Sequence, residues 1–188
     1  MEEKLKQQPG NVVKVVLYGP ESTGKSTLSR QLAKHYNTLW VPEYAREYLQ
    51  QKWDEEQQVC QPEDLIPIAM GQIKTENELT KKASKLLICD TDLLETKVYS
   101  EAYYVGSCDP LLEKYALNNK YDLYLLTYID IPWEKDDLRD KPNKREEMFA
   151  YFKSALDKYQ RPYQLIKGSR EERFKTAVTA IDELLKQK

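Results

Sequence analysis

Hydrophobic residues along the chain form short continuous runs that alternate with longer, periodic segments. The continuous runs lie at residues 12–18, 38–42, 86–90, 121–129 and 163–167 and are rich in leucine, β-branched and aromatic side chains. Such runs are typical of strands that are buried on both faces of a parallel sheet.

The segments between these runs carry apolar residues at helical spacing. Leu28, Leu32 and Tyr36 recur every four residues, which gives a single stripe on one helix. The periodicity and the start signals predict helices over residues 24–36, 43–53, 67–84, 93–105, 109–119, 143–159 and 169–185. Five strands separated by helices predict an α/β fold with a five-stranded parallel sheet and helices on both faces.

The domain organisation predicted from this pattern is simple. Residues 1–11 are polar and are expected to form a disordered or extended tail, while residues 12–188 form a single domain. Within that domain the polar stretch 130–143 is predicted to be a mobile loop, and we expect a lid at about 130–145.

Composition and charge exclude several classes of protein. Lys and Arg number 29 and Asp and Glu 31, so the net charge of −2 gives no overall attraction to nucleic acid or to an anionic membrane. No signal peptide or membrane-spanning run is visible, which predicts a cytoplasmic protein. The single histidine, His35, and three widely spaced cysteines disfavour Ser/His, Cys/His and multi-His chemistry. The 14 tyrosines are unexplained by composition alone.

Residues 19–26 read GPESTGKS, a full match to the phosphate-binding loop pattern G-x-x-x-x-G-K-[ST]. The motif lies between a predicted strand and a predicted helix, as its function requires. Gly19 and Gly24 allow backbone N–H groups to curl around phosphate oxygens at the positive end of the helix. Lys25 is expected to bridge the β- and γ-phosphates of ATP, and Ser26 to ligate Mg²⁺.

Two aspartates follow the third predicted strand. Asp90 ends the run LLICD, and Asp92 lies two residues later. Ligands of open α/β folds bind at this edge of the sheet, so Asp90 is a candidate for holding magnesium or for acting as base. Asp92 is a second candidate, with helix capping as an equally good alternative.

Glu43 ends the second predicted strand, which places it beside the phosphate site. A carboxylate there could accept a proton from a substrate hydroxyl. The alternative is a first-turn helix residue that interacts with the dipole. Arg46 lies one turn further along the same face and could pair with Glu43 or reach an anion.

The loop after the fourth strand carries Arg139 among other charged residues. Phosphoryl transfer depends on positioning and charge neutralisation, so this loop could be a lid that brings a guanidinium to the migrating phosphoryl group. The alternative is a solvated charged loop.

Five segments together carry a family resemblance. They are GPESTGKSTL at 19–28, VPEYAREYL at 41–49, AMGQ at 69–72, LLICDTD at 86–92 and PWEKDDLR at 132–139. The chain resembles the nicotinamide riboside kinase domain of NadR-type proteins, a branch of the P-loop kinases.

The resemblance implies a sheet of the nucleoside- and nucleotide-kinase type and Mg²⁺-dependent transfer of the ATP γ-phosphate to a riboside hydroxyl, which would give nicotinamide mononucleotide. It implies ATP binding by Gly19, Pro20, Glu21, Ser22, Thr23, Gly24, Lys25, Ser26 and Thr27. The acceptor side would use Glu43, Tyr44, Arg46, Asp90 and Asp92, and the lid Trp133 and Arg139. Tyr99 lies on the helix after D-T-D, where its ring could stack on a cationic base. The catalytic candidates are Lys25, Asp90, Glu43 and Arg139, and the metal candidates Ser26 and Asp90.

Other functions are compatible with the phosphate loop. The acceptor could be another nucleoside or a vitamin alcohol, or the chain could be a nucleotide-dependent ATPase or switch without a small acceptor. We expect a small-molecule partner, neither nucleic acid nor membrane, and the oligomeric state is not predicted. Full-length NadR proteins carry a nucleotidyltransferase domain ahead of the kinase. It would not fit in the eleven residues before Val12, so adenylyl transfer and repression are not expected of this chain.

Overall fold

The computed structural model describes residues 2–104, 106–134, 138 and 144–188. Its centre is a five-stranded sheet in the order β2-β3-β1-β4-β5, and every neighbouring pair of strands is parallel. The strands are β1 Val13–Tyr18, β2 Leu39–Val41, β3 Leu86–Asp90, β4 Leu123–Thr127 and β5 Tyr163–Ile166. The predicted α/β class with a parallel sheet is confirmed.

Seven α-helices lie in the described part of the chain. They are α1 Lys25–His35, α2 Tyr44–Glu56, α3 Leu65–Thr80, α4 Leu93–Tyr103, α5 Pro110–Asn118, α6 Arg145–Lys158 and α7 Arg170–Lys186. Each lies within a few residues of the helix predicted from periodicity. None of the helices in the described ranges is both long and apolar enough to cross a membrane.

Two hydrophobic cores cover the two faces of the sheet. On one face, Leu28 and Leu32 of α1 and Ile181 of α7 pack against alternate strand residues. On the other face, Val98 of α4 and Phe152 of α6 pack against the intervening strand residues. All six residues of β1 are buried, because helices cover it on both sides. This sandwich fixes the carboxyl ends of β1 and β3, from which the phosphate loop and Asp90 project.

The segment before β1 differs from the disordered or extended tail expected from its polarity. Glu2–Lys4 form a short 3-10 helix, and Leu5 is fully buried in a third apolar cluster with Ile73 of α3 and Leu112 of α5. The Gln7 side-chain amide donates to Glu76 Oε1 at 2.8 Å. One leucine supplies this anchor, and a single apolar residue has no periodicity that sequence reasoning could detect.

Candidate active site

The phosphate loop connects β1 to α1 and lies against the end of β4. Gly19 has φ of +141°, and a β-carbon there would lie 2.7 Å from Thr127 Oγ1. The Thr23 hydroxyl donates to Pro20 O at 2.7 Å and is also 2.7 Å from the Thr127 hydroxyl. Gly24 precedes α1 in the left-handed conformation, with φ of +81°. The loop is therefore held in a tight curl, as phosphate-binding backbone requires.

The Lys25 ammonium group folds back over this curl. It donates to Gly19 O at 2.7 Å and to Pro20 O at 2.9 Å, and it is 3.2 Å from Glu95 Oε1. Burial acts to lower the pKa of Lys25, but Glu95, Glu43 and the nearby Asp90 outweigh it and raise that pKa above its usual value. Lys25 therefore stays positively charged at neutral pH, as a phosphate ligand must.

Glu95, in the first turn of α4, is a site residue that sequence reasoning missed. Its side chain is buried, and besides pairing with Lys25 it accepts a hydrogen bond from Gly19 N at 3.3 Å through Oε2. Burial raises the pKa of Glu95 well above its usual value; Lys25 opposes that shift, while Glu43 adds to it. The pair joins residues 70 positions apart, so no local pattern announces it.

Asp90 ends β3 beside the phosphate loop, and its side chain is only 2% exposed. Within the described residues, its Oδ1 atom has no hydrogen-bond partner. Burial and the nearby charge of Glu43 raise the pKa of Asp90 to about 7, against the opposing effects of Ser26 and Lys25. An orphaned buried carboxylate oxygen next to a hydroxyl suits a hard cation such as Mg²⁺.

The protein would supply only a few of the ligands of a bound Mg²⁺ ion. Among the described residues, no group of three or more His, Cys, Asp or Glu side chains is arranged to hold a metal. Mg²⁺ commonly uses one or two protein oxygens and completes its shell with phosphate and water. Ser26 and Asp90 fit that pattern.

The residue between the two aspartates is held in an uncommon backbone conformation. Thr91 has φ of +70°, rare for a β-branched residue, and its N–H donates to Leu17 O at 3.0 Å. Strain of this kind collects at functional sites. Here it turns the chain sharply between Asp90, which faces the phosphate loop, and Asp92, which does not.

Asp92 adopts the capping alternative. Its Oδ1 atom accepts from Glu95 N at 3.0 Å, and its Oδ2 atom accepts from the Tyr124 hydroxyl at 2.7 Å. Burial raises its pKa to about 6. With both oxygens occupied and a side chain 1% exposed, Asp92 does not line the cavity described below, so the geometry favours a structural role over the expected substrate contact.

Glu43 takes the N-cap position of α2, but its side chain makes no capping hydrogen bond. It lines the cavity instead, and Arg46 lines the same cavity from the first turn of the helix. The charge of Glu43 contributes to the raised pKa values of Lys25, Asp90 and Glu95. The structure therefore brings Glu43, Asp90 and the phosphate loop together as the sequence predicted.

Tyr44 is not part of the cavity wall, which differs from its expected role in binding substrate. Its N–H donates to Gln72 Oε1 at 2.8 Å, and its ring lies so close over Gly71 that a β-carbon there would be 2.1 Å from Tyr44 Cε1. The ring packs α2 on α3, and this contact positions the start of α2, which carries Glu43 and Arg46.

A cavity of about 520 Å³ extends from the phosphate loop past the side chains of Glu43 and Glu95. Its far end is apolar and aromatic. Lining residues there are Leu49, Cys60, Leu65, Ile68, Tyr99, Tyr103 and Tyr104. The structure thus places Tyr99 in the wall, where it stacks edge-on with Tyr103 at 5.6 Å between ring centroids. The volume suits a small ligand.

The described part of the expected lid is tied to the phosphate loop. Glu134 N donates to Ser22 Oγ at 3.0 Å, and the Arg145 guanidinium donates to Ser22 O at 3.1 Å and to Ile131 O at 2.8 Å. Trp133, the other expected lid residue, lies with its ring centroid 5.8 Å from the Arg145 guanidinium carbon. Arg139 lies outside the described residues.

Arg173 of α7 is a second residue that the sequence did not indicate. It is 4% exposed and donates to Thr23 O at 2.9 Å, Tyr128 O at 2.8 Å and Gly168 O at 2.9 Å. It also pairs with Asp130. One guanidinium therefore joins the phosphate loop to the loops that follow β4 and β5 at the nucleotide end of the cavity.

Replacing Arg173 with alanine is expected to lower the free energy of unfolding by about 2–3 kcal/mol, because three backbone acceptors and one carboxylate lose a charged donor. The Michaelis constant for ATP should rise as the phosphate loop loosens. Thermal denaturation and ATP titration would measure the two effects. Lys175→Ala, at an exposed position two residues later on α7, is the matched control; equal effects of both variants would contradict the assignment.

The amino-acid sequence of the chain matches a known protein family and curated proteins. Residues 14–173 match the family described as AAA domain. The chain is 32% identical over 132 residues to the trifunctional NAD biosynthesis/regulator protein NadR of Salmonella typhimurium (strain LT2), and equally to that of Escherichia coli (strain K12). Each alignment covers 70% of this chain and 32% of the relative, so the chain spans about a third of the length of these curated relatives.

Solved structures show the same fold. A crystal structure of NadR protein in complex with NR superposes with a TM-score of 0.80 at 23% identity, over 93% of this chain and 52% of that one. Thymidylate kinase from Ehrlichia chaffeensis gives a TM-score of 0.62 at 17% identity, over 94% of this chain and 100% of that one. The resemblance to NadR-type proteins is confirmed by these relatives, and the chain belongs to the family described as AAA domain, whose model matches residues 14–173.

Proposed function

We propose that this chain transfers the γ-phosphoryl group of ATP to a hydroxyl of a small riboside, with Mg²⁺ as cofactor, and that the riboside is nicotinamide riboside. The product would be nicotinamide mononucleotide. The observation that carries the proposal is the continuity of the cavity, which has a phosphate loop at one end, Glu43 on its wall and an aromatic end beyond it, while the buried Asp90 ends β3 beside the phosphate loop.

The residues at the phosphate end have separable roles. Lys25 would neutralise charge on the transferred phosphoryl group, and the curled backbone from Gly19 to Gly24 would orient the phosphates. Ser26 and Asp90 would hold Mg²⁺, which supplies charge neutralisation between phosphate oxygens when bound.

Two carboxylates are placed to receive the proton of the acceptor hydroxyl. Burial and Glu43 raise the pKa of Asp90 to about 7 in the metal-free chain, and a bound cation would favour the ionised carboxylate, the form that accepts a proton. Glu43 lines the cavity and lies close enough to Asp90 for its charge to affect the pKa of that carboxyl. We assign magnesium and base-side duty to Asp90 and contact with the ribose hydroxyls to Glu43.

The aromatic end supports a flat, cationic acceptor. Nicotinamide riboside carries a positive pyridinium ring, which tyrosine faces attract through their quadrupole. Tyr99, Tyr103 and Tyr104 line this end, and the acids on the wall add negative potential. A NadR protein crystallised in complex with NR shares the fold, which agrees with this acceptor.

A panel of acceptors tests the proposal. ADP formation from ATP should depend on added riboside, and kcat/KM should be highest for nicotinamide riboside, with at least tenfold lower values for uncharged ribosides such as uridine, because a cation–π contact and charge attraction are lost. Mass spectrometry should show the monophosphate. Turnover of ATP that no riboside changes would overturn the kinase assignment, and a preference for an uncharged riboside would overturn the acceptor assignment alone.

A further inference from the structure

The side chain of Glu95 occupies the donors that the phosphate loop offers to an anion. One carboxylate oxygen is 3.2 Å from Lys25 Nζ, and the other accepts from Gly19 N at 3.3 Å. Both donors belong to the loop that cradles phosphate. The carboxylate is buried, so water screens this interaction little.

A phosphate group and the Glu95 carboxylate have the same requirements. Each is an anion that needs backbone N–H groups and the ammonium group of Lys25. They also repel each other when both are ionised and close together. Gly19 O and Pro20 O take two hydrogen bonds from the Lys25 ammonium group and Glu95 pairs with it as well, so a nucleoside triphosphate has to compete with Glu95 for Lys25.

We propose that Glu95 is a positioning residue that competes with the phosphates of the nucleotide for Lys25 and Gly19, and so sets the affinity of the site for ATP. This inference rests on the proposed function only in taking ATP as the ligand. It assigns to Glu95 a role in the site that is separate from capping α4, which Asp92 performs.

The geometry of α4 gives the displaced side chain a place to go. Glu95, Tyr99 and Tyr103 are spaced four residues apart and all three border the cavity. When Glu95 leaves Lys25, it can therefore turn along the same helix face towards the acceptor end. This movement gives up the ion pair between Lys25 and Glu95 but does not require α4 to move.

Glu95→Gln tests the competition directly, because the amide keeps the shape of the side chain and removes its charge. Isothermal titration with ATP and Mg²⁺, in the absence of any riboside, should show a dissociation constant about fivefold lower than that of the unaltered chain, the effect of removing about one charge interaction. Binding of adenosine, which has no phosphate, should not change. Glu95→Asp keeps the charge on a shorter side chain, so its dissociation constant for ATP should lie between those of Glu95→Gln and the unaltered chain.

Glu78→Gln is the matched control, since it removes the same charge from an exposed position on α3 and should leave the dissociation constant for ATP unchanged. Equal or weaker ATP binding by folded Glu95→Gln would overturn the inference, as would an equal gain for adenosine. In steady-state assays the Michaelis constant for ATP should fall and that for the riboside should not rise. If the unaltered chain binds no ATP at all, the proposed function fails instead.

Discussion

Replacing Lys25 with methionine is expected to lower kcat by about 10²–10³-fold while the chain keeps its fold, because the change removes a preorganised positive charge from the phosphoryl site. Methionine matches most of the length of the lysine side chain and can fill the same buried space. The loss of charge also leaves Glu95 without its cation. Since burial already raises the pKa of Glu95, that carboxyl can take up a proton and remain buried as a neutral group.

The measurement is acceptor-dependent ADP formation, with circular dichroism and thermal denaturation as checks on folding. Lys34→Met, on the exposed end of the same helix, is the matched control and should retain full turnover. Near-normal kcat in Lys25→Met would contradict the assigned role. A folded Lys25→Met chain with normal ATP binding but little turnover would place the effect on the chemical step.

The nucleotide half of the site could be predicted because its residues are fixed by local chain geometry. The phosphate loop is one continuous segment whose glycines, lysine and serine must stand at set spacings between a strand and a helix. Asp90 could be placed because a parallel sheet brings all carboxyl ends of its strands to one edge. Register within the sheet confirms this, since Leu17 pairs with Asp90 across β1 and β3.

The acceptor half could be predicted only in part, because side-chain direction decides it. Tyr44 and Tyr99 both lie on helices next to the site, yet one ring packs on Gly71 and the other lines the cavity. The difference depends on how α2 rests on α3, which is a tertiary contact. Likewise, Asp92 and Glu95 have the spacing of a helix cap, and that spacing gives no sign that Glu95 turns away to the phosphate loop.

The role of Arg173 could not be predicted from the sequence, because it too depends on a tertiary contact. Arg173 follows the phosphate loop by 150 residues along the chain, counted from its partner Thr23. Its own segment reads as an ordinary amphipathic helix with charged residues in the first turn. The guanidinium of Arg173 reaches the phosphate loop because α7 packs against α1. The only indication in the sequence was that Arg173 follows the end of β5 by a few residues.

Asp90→Asn is expected to reduce kcat by about 10²-fold and to weaken the affinity of the site for Mg²⁺, because the amide cannot supply the negative charge that a hard cation requires. The titration with Mg²⁺ should shift to higher concentrations. Asp54→Asn, on the exposed side of α2, is the matched control. An unchanged Mg²⁺ titration would move the metal role to another residue.

The same substitution should stabilise the ligand-free chain, and the sign follows from the raised pKa of Asp90. Its folded-state pKa of about 7 lies above that of an unfolded aspartate, about 4, so the folded chain holds the extra proton between these values. The contribution of Asp90 to stability is therefore present below pH 4 and is lost as the pH rises towards 7. Asparagine has no such loss, so the gain in Tm of Asp90→Asn should be larger at pH 8 than at pH 5. If Asp90→Asn gains stability while it loses turnover, the buried carboxylate of Asp90 serves the chemistry and not the folding of the chain. A lower Tm of Asp90→Asn at pH 8 would contradict this conclusion.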